Sequence, residues 1–329
     1  MEEKKKFGSD KIIFILAIII FIIIFIFAGL RFLGIEFFVD KGFEEQIKKI
    51  SSSEKIEETT KVLEAVKADH PDMKKLNLEI KLGPSDFTLK DQPDATKLFY
   101  SEATYNYADL EPFLEEIYSD EAYLAYGLNE ENASYVLNWS DLIGKYNLYL
   151  TDSQMPTVLD VNIGSGDGEI KLGRDTLEKL NLQVGSGDLE FGLISPNRTN
   201  MEMDFNIGSG TFDFTGLAYA NLSKLAGEYD SGDVLLDFSG DTDNNLVSAA
   251  IPATLKGGSG AMTIRLPDNY GFNLIYKTGS GKILLDNEKE LNGTGEMKSD
   301  SYDEAEFKID FNITLGSGNL TIEGGNKND

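Results

Sequence analysis

Apolar and polar residues alternate strictly along much of the chain. Leu159, Val161 and Ile163 alternate with polar neighbours, as do Leu180, Leu182 and Val184, then Met203, Phe205 and Ile207. The pattern returns at Phe272, Leu274 and Tyr276, and at Ile309, Phe311, Ile313 and Leu315. Each run is followed by a glycine-rich turn and a second alternating run, such as Leu189, Phe191 and Leu193, or Met262, Ile264 and Leu266. A period of two places every second side chain on one face, so each unit reads as strand, tight turn, strand. Leu76, Leu78, Ile80 and Leu82 also alternate with polar residues and mark an earlier strand.

The turn is Gly-Ser-Gly at 164–166, 185–187, 208–210, 258–260, 279–281 and 316–318, with Asp230-Ser231-Gly232 as a degenerate copy. The shorter steps between copies define a unit of about 22 residues. Glycine is expected there because a tight turn asks for positive φ, which a Cβ penalises. The few apolar side chains of one unit cannot offset the entropy of ordering its backbone, so neighbouring units must stack. The expected fold is all-β, a solenoid-like stack of short strands joined by these turns.

Two earlier segments follow a different period. Ile12 to Leu30 is uncharged, long enough for the hydrocarbon core of a bilayer, and preceded by Lys4, Lys5, Lys6 and Lys11. It reads as a single transmembrane helix with a cytoplasmic tail and the rest of the chain outside the membrane. Beyond it, Phe43, Ile47, Ile50, Ile56, Leu63 and Val66 recur at near-helical spacing, which predicts an amphipathic helical stalk ended by His70-Pro71. The expected organisation is a tail at 1–11, an anchor at 12–34, a helical stalk at 35–75, an aromatic-rich β segment at 76–157 and the repeat at 158–329. Seven N-x-S/T triplets begin at Asn132, Asn138, Asn197, Asn221, Asn292, Asn312 and Asn319, and a glycosylating exterior would use them.

Composition narrows the chemistry. Acidic residues outnumber basic ones 56 to 30, a net charge of −26, which disfavours a nucleic-acid partner. The chain has no cysteine and one histidine, so thiol catalysis is excluded and His70 has no second histidine to join it. Thr278 to Ile283, TGSGKI, lacks the first glycine and the final hydroxyl residue of a phosphate loop. Gly257 to Ala261, GGSGA, resembles a nucleophile elbow, but Ser259 has no nearby histidine base. Aromatics crowd 99–149, from Phe99 and Tyr100 to Trp139 and Tyr149, and are expected to pack one end of the β core. No catalytic, cofactor-binding or metal-binding residue emerges, and no cofactor is implied. If the fold were instead a glycan-acting enzyme, paired acids at Asp167/Glu169, Asp188/Glu190 and Asp233/Asp237 would be its candidates.

The stretches KLNLEIKLGPSDFT (75–88), NWSDLIGKYNLYL (138–150), MPTVLDVNIGSGDGEIKL (155–172), LEKLNLQVGSGDLEF (177–191) and RLPDNYGFNLIYKTGSGKI (265–283) resemble the toast-rack, or putative-adhesin, domain family. That family is related to the C-terminal domain of LiaF-like cell-envelope stress proteins. The resemblance implies a β-solenoid-like module outside the membrane, serving adhesion or envelope-stress signalling, with an envelope protein or glycan as partner. It carries no catalytic motif onto these residues. LiaF-like proteins usually have several membrane spans, whereas this chain shows one.

Overall fold

The computed structural model describes residues 55–67, 73–92, 94, 96–128, 142–151, 155–173, 176–240, 249–286 and 288–325. The expected tail, the anchor and the first part of the stalk therefore lie outside the described residues. Among the described residues no helix is long and apolar enough to cross a membrane.

Among the described residues the chain forms, in order, β1 (Lys55–Val66), β2 (Lys75–Pro84), β3 (Asp86–Gln92), β4 (Lys97–Tyr107), β5 (Pro112–Tyr118), β6 (Glu121–Leu128) and β7 (Gly144–Thr151). Then come β8 (Thr157–Ser165), β9 (Gly168–Leu172), β10 (Leu177–Ser186), β11 (Leu189–Leu193), β12 (Met201–Ser209), β13 (Thr211–Thr215), β14 (Leu222–Tyr229) and β15 (Asp233–Asp237). The last are β16 (Ile251–Gly257), β17 (Met262–Leu266), β18 (Tyr270–Thr278), β19 (Ile283–Leu285), β20 (Lys289–Leu291), β21 (Thr294–Lys298), β22 (Phe307–Leu315) and β23 (Leu320–Gly324).

These strands make two facing sheets, and each rung of the stack gives one strand to each sheet. The rungs stack in the order β6/β7, β2/β3, β8/β9, β10/β11, β12/β13, β14/β15, β16/β17, β22/β23, β18/β19, all parallel. Register keeps like on like. In one sheet Leu78, Leu159, Leu180, Met203 and Leu225 form a continuous inward column; in the other Leu89, Ile170, Phe191, Phe214 and Leu236 do the same. All ten are buried, and each adds roughly 1.5–3 kcal/mol of burial that an isolated unit would lack. Outward positions such as Glu202, Asp204 and Asn206 stay exposed.

Both ends of the stack break chain order. Near the N-terminal end β2/β3 is made first but lies inside the later β6/β7. Near the C-terminal end β22/β23 is made last but lies inside the earlier β18/β19. Antiparallel strands then finish the edges: β4 and β1 beyond β7, β5 beyond β6, β20 beyond β19 and β21 beyond β18.

Two expectations need correction. Lys55–Val66, expected within the helical stalk, is a strand paired antiparallel to β4. An irregularity between Lys55 and Thr59 lets Ile56 and Leu63 both pack against the core, although an odd spacing normally puts them on opposite faces. Seven residues is also two helical turns, hence the helical reading. The second concerns β2 and β3, which are a true rung rather than a prelude to the repeat. Their Gly83-Pro84-Ser85 turn stands in register with Gly164-Ser165-Gly166.

Candidate functional site

Glycine at the turns answers to more than backbone angle. Gly166, Gly187 and Gly210 have φ of +113, +114 and +120, as a left-handed turn requires. Gly281 and Gly318 are not left-handed, yet a Cβ would lie 1.8 Å from the Gly318 carbonyl oxygen and 1.9 Å from that of Gly260, respectively. The turns stack so closely that each fills the place of its neighbour's missing side chain. Their amides are spent on this stacking. Ser259 N–H donates to the Asp230 carbonyl (2.6 Å) and Gly279 N–H to that of Leu315 (2.8 Å). The elbow-like and phosphate-loop-like stretches are thus ordinary corners of the stack.

The aspartates that follow three of the turns have a similar role. Asp188 N–H donates to Asp167 Oδ1 (3.0 Å), Thr211 N–H to Asp188 Oδ1 (2.8 Å), and Ala261 N–H to Asp233 Oδ1 (2.9 Å). Asn319 Oδ1 takes the Lys282 N–H in the same column (3.2 Å). Each side chain satisfies a corner amide of the next rung, which would otherwise lack a partner within the ladder. Asp167, Asp188 and Asp233, the first members of the three candidate acid pairs, are therefore rung connectors.

Their partners lie elsewhere. Glu169, on the outer face of β9, meets Lys171 (2.6 Å) and Lys90 (2.7 Å), and Lys171 also reaches Glu190 (3.1 Å). Hydrogen bonds from Lys171 and then Lys90 hold the Glu169 carboxyl below its ordinary pKa, the reverse of what a general acid needs. Asp237 accepts the Ser239 N–H (2.8 Å). Among the described residues no group of three or more His, Asp or Glu could hold a metal ion.

The triplets beginning at asparagine divide sharply. Asn197 and Asn221 are 3% and 1% exposed. The Asn197 amide donates to the carbonyls of Leu177 and Thr199 (both 2.8 Å) and accepts the Leu177 N–H (2.9 Å). These two asparagines tie the rear corners of adjacent rungs, a role that pattern reading missed because it took both only as the start of N-x-S/T triplets. Asn292, Asn312 and Asn319 are exposed; Asn132 and Asn138 lie outside the described residues. His70, Tyr135 and Trp139 lie outside them too.

Of the aromatics, Phe99, Tyr105, Tyr107, Tyr126 and Tyr146 are buried, with Phe99 and Tyr126 5.3 Å apart between ring centres. They fill the N-terminal end of the core, as the sequence leads one to expect. Tyr123 and Phe113 instead face outward on β6 and β5. Beside them a groove of about 650 Å³ runs between Lys61, Glu79, Lys81, Glu111, Phe113 and Glu115. Lys61 bridges Glu111 (2.7 Å) and the Pro112 carbonyl (3.0 Å) at its rim.

Several solved structures are similar to the chain. One is a "putative cell adhesion protein" from Clostridium sporogenes ATCC 15579, 17% identical, covering 82% of this chain and 100% of its own, with a TM-score of 0.41. A "putative adhesin" from Bacteroides fragilis NCTC 9343 is 10% identical over 81% of this chain and 97% of its own, with a TM-score of 0.35. A "putative lipid binding protein" from Parabacteroides distasonis ATCC 8503 is 11% identical over 80% and 96%, with a TM-score of 0.27. Likeness at this level transfers no binding activity. No curated protein matches the chain at a significant level. Residues 49–215 match the family described as the N-terminal domain of toast_rack, DUF2154. With half its length accounted for by that match and its strands stacked around glycine corners, the chain belongs to the toast-rack family.

Proposed function

We propose that this chain is a non-enzymatic interaction module, held outside a membrane by the apolar segment at 12–34 and serving adhesion or envelope-stress signalling. One observation carries the reading: the residues that most resemble chemistry are spent on architecture. Asp167, Asp188 and Asp233 satisfy amides of the next rung, and the Gly-Ser-Gly amides bind neighbouring turns. What faces solvent is the polar outer face of each sheet, with Glu202, Asp204 and Asn206 on one and Glu169, Lys171 and Glu190 on the other, suited to contact over area rather than to enclosing a substrate. Ile12 to Leu30 behind four lysines supplies the anchor and its orientation.

The test uses cells expressing the full-length chain with a C-terminal tag. Carbonate extraction should leave the protein in the membrane pellet, and protease added to intact cells should remove the tag. A soluble or protease-protected protein refutes the placement. Turnover of cell-wall or polysaccharide substrates by the purified protein, abolished by Asp188→Asn with Glu190→Gln, refutes the non-enzymatic reading.

A further inference from the structure

We infer that the free edge of β5 is a docking strand for an extended segment of a partner protein, with two consecutive basic residues flanked on both sides by apolar ones. The inference rests on the reading of the chain as an interaction module and gives it a place and a partner chemistry.

β5 ends the order of its sheet, and among the described residues it pairs only with β6. At the start of its far side the Pro112 carbonyl is held by Lys61 (3.0 Å); beyond that point, among the described residues, the backbone of β5 is left to pair with another strand. The other end strands are poorer templates. β20 has three residues, β21 exposes Thr294, Glu296 and Lys298, and β1 is broken by register irregularities near both ends. β5 also differs in what it displays. Of six large hydrophobic side chains exposed among the described residues, Phe113 and Ile117 lie on β5 and Tyr123 stands opposite Ile117 on β6. Ile117 is 66% exposed and Tyr123 48%. Charge alone would guard an edge against aggregation, but a guarded edge does not also present a cluster of apolar side chains.

The order of residues along β5 specifies its partner. Phe113, Glu115 and Ile117 share the outer face; Leu114, Glu116 and Tyr118 share the other, where Leu114 and Tyr118 pack against the core. A strand added alongside meets apolar, acidic, apolar on each face. Cross-strand pairs favour apolar opposite apolar and Lys or Arg opposite Glu. Glu115 and Glu116 are adjacent, so the complementary segment has two adjacent basic residues at its centre. The groove at the Pro112 end gives room for a side chain beside Phe113. A second copy fits badly, because an antiparallel β5 pair centred on this strand sets Glu115 against Glu115, between chains of net charge −26.

The test measures fluorescence anisotropy of a labelled hexapeptide, Val-Ile-Lys-Lys-Val-Val, with the purified full-length protein. Saturable binding is expected. It should weaken about tenfold or more when alternate peptide amides are N-methylated, and likewise in the Glu115→Lys, Glu116→Lys double variant. That variant should instead bind the Glu-Glu counterpart peptide, which also shows that it is folded. Absence of saturable binding to wild type, or binding indifferent to N-methylation, overturns the inference. Self-association of the wild type that the double variant abolishes would assign the edge to a second copy and overturn it as well. The surface-exposure experiment is independent of all these outcomes, so failure here leaves that result standing.

Discussion

Replacing Gly187 by valine should cripple the stack. Its φ is +114, and a β-branched residue held in such a conformation costs of order 1–3 kcal/mol. The new Cβ would also lie 2.0 Å from the Gly166 carbonyl oxygen, where carbon and oxygen normally stay about 3.3 Å or more apart. Two rungs must therefore part by more than an ångström at this corner. The bonds from Asp188 N–H to Asp167 (3.0 Å) and from Gly168 N–H to the Asp188 carbonyl (2.8 Å) are then stretched or lost. At about 0.5–1.5 kcal/mol for each bond, the total comes to roughly 2–6 kcal/mol. For a unit of this size that lowers the melting temperature by roughly 10 °C. Ser186→Ala, one residue earlier, should shift stability by less than about 0.5 kcal/mol. Gly281→Ala separates the two causes. Gly281 is not left-handed, but its Cβ would sit 1.8 Å from the Gly318 carbonyl oxygen, so it too should destabilise. Thermal melts followed by circular dichroism decide the matter. A Gly187→Val protein melting within about 2 °C of wild type would falsify the close-stacking argument. A silent Gly281→Ala beside a damaging Gly187→Val would reduce the argument to backbone angle alone.

Asp188→Ala should cost about 1–2 kcal/mol by leaving the Thr211 amide without its acceptor, whereas Asp188→Asn, which keeps an oxygen there, should cost under about 0.5; equal urea midpoints for the two variants would count against the rung-connector role. Stability should also fall above about pH 10. Burial pushes the phenols of Tyr126 and Tyr146 upward and that of Tyr229 to about 12. An unfolded chain then loses protons that the fold retains, so the free energy of unfolding decreases as pH rises. Tyr229→Phe should flatten this decline at little cost near neutrality, since the Tyr229 hydroxyl has no hydrogen-bond partner among the described residues; urea midpoints between about pH 9 and 11.5 measure it, and an unchanged slope argues against a burial origin.

The sequence made the middle of the stack easy to read and its ends hard. Between Thr157 and Leu266 each rung carries its own turn and alternation, including the degenerate turn at Asp230-Ser231-Gly232, because parallel in-register stacking imposes the same demands on every copy. β2/β3 escaped recognition because its corner has Pro84 and Ser85 where later rungs have serine and glycine. β1 escaped because an edge strand is only partly buried and its irregularity disguised the period of two. Spatial order at the ends was not legible at all, since any rung's inner column can stack on any other. At the candidate site, the aspartates after the turns were visible as residues, but their partners are amides 21–28 positions away, supplied only by stacking. β5 appeared as part of an aromatic-rich segment; nothing in its composition revealed that it would end a sheet.

The exchange of rung order near the C-terminal end bears on how the chain can be made. A ribosome delivers β18/β19 before β22/β23, yet the finished molecule holds the later pair between β16/β17 and the earlier one. While the last residues are still unmade, β18 lacks its permanent parallel neighbour and β16 has one side vacant. A nascent chain that closes this space early, by pairing β18 directly with β16, must reopen it to admit β22 and β23. This end of the stack therefore cannot take its native order until β22 and β23 have been delivered. A chain cut short anywhere before Phe307 loses more than its last rung: β18/β19 and the edge strands β20 and β21 beyond it lose the parallel neighbours that join them to the stack.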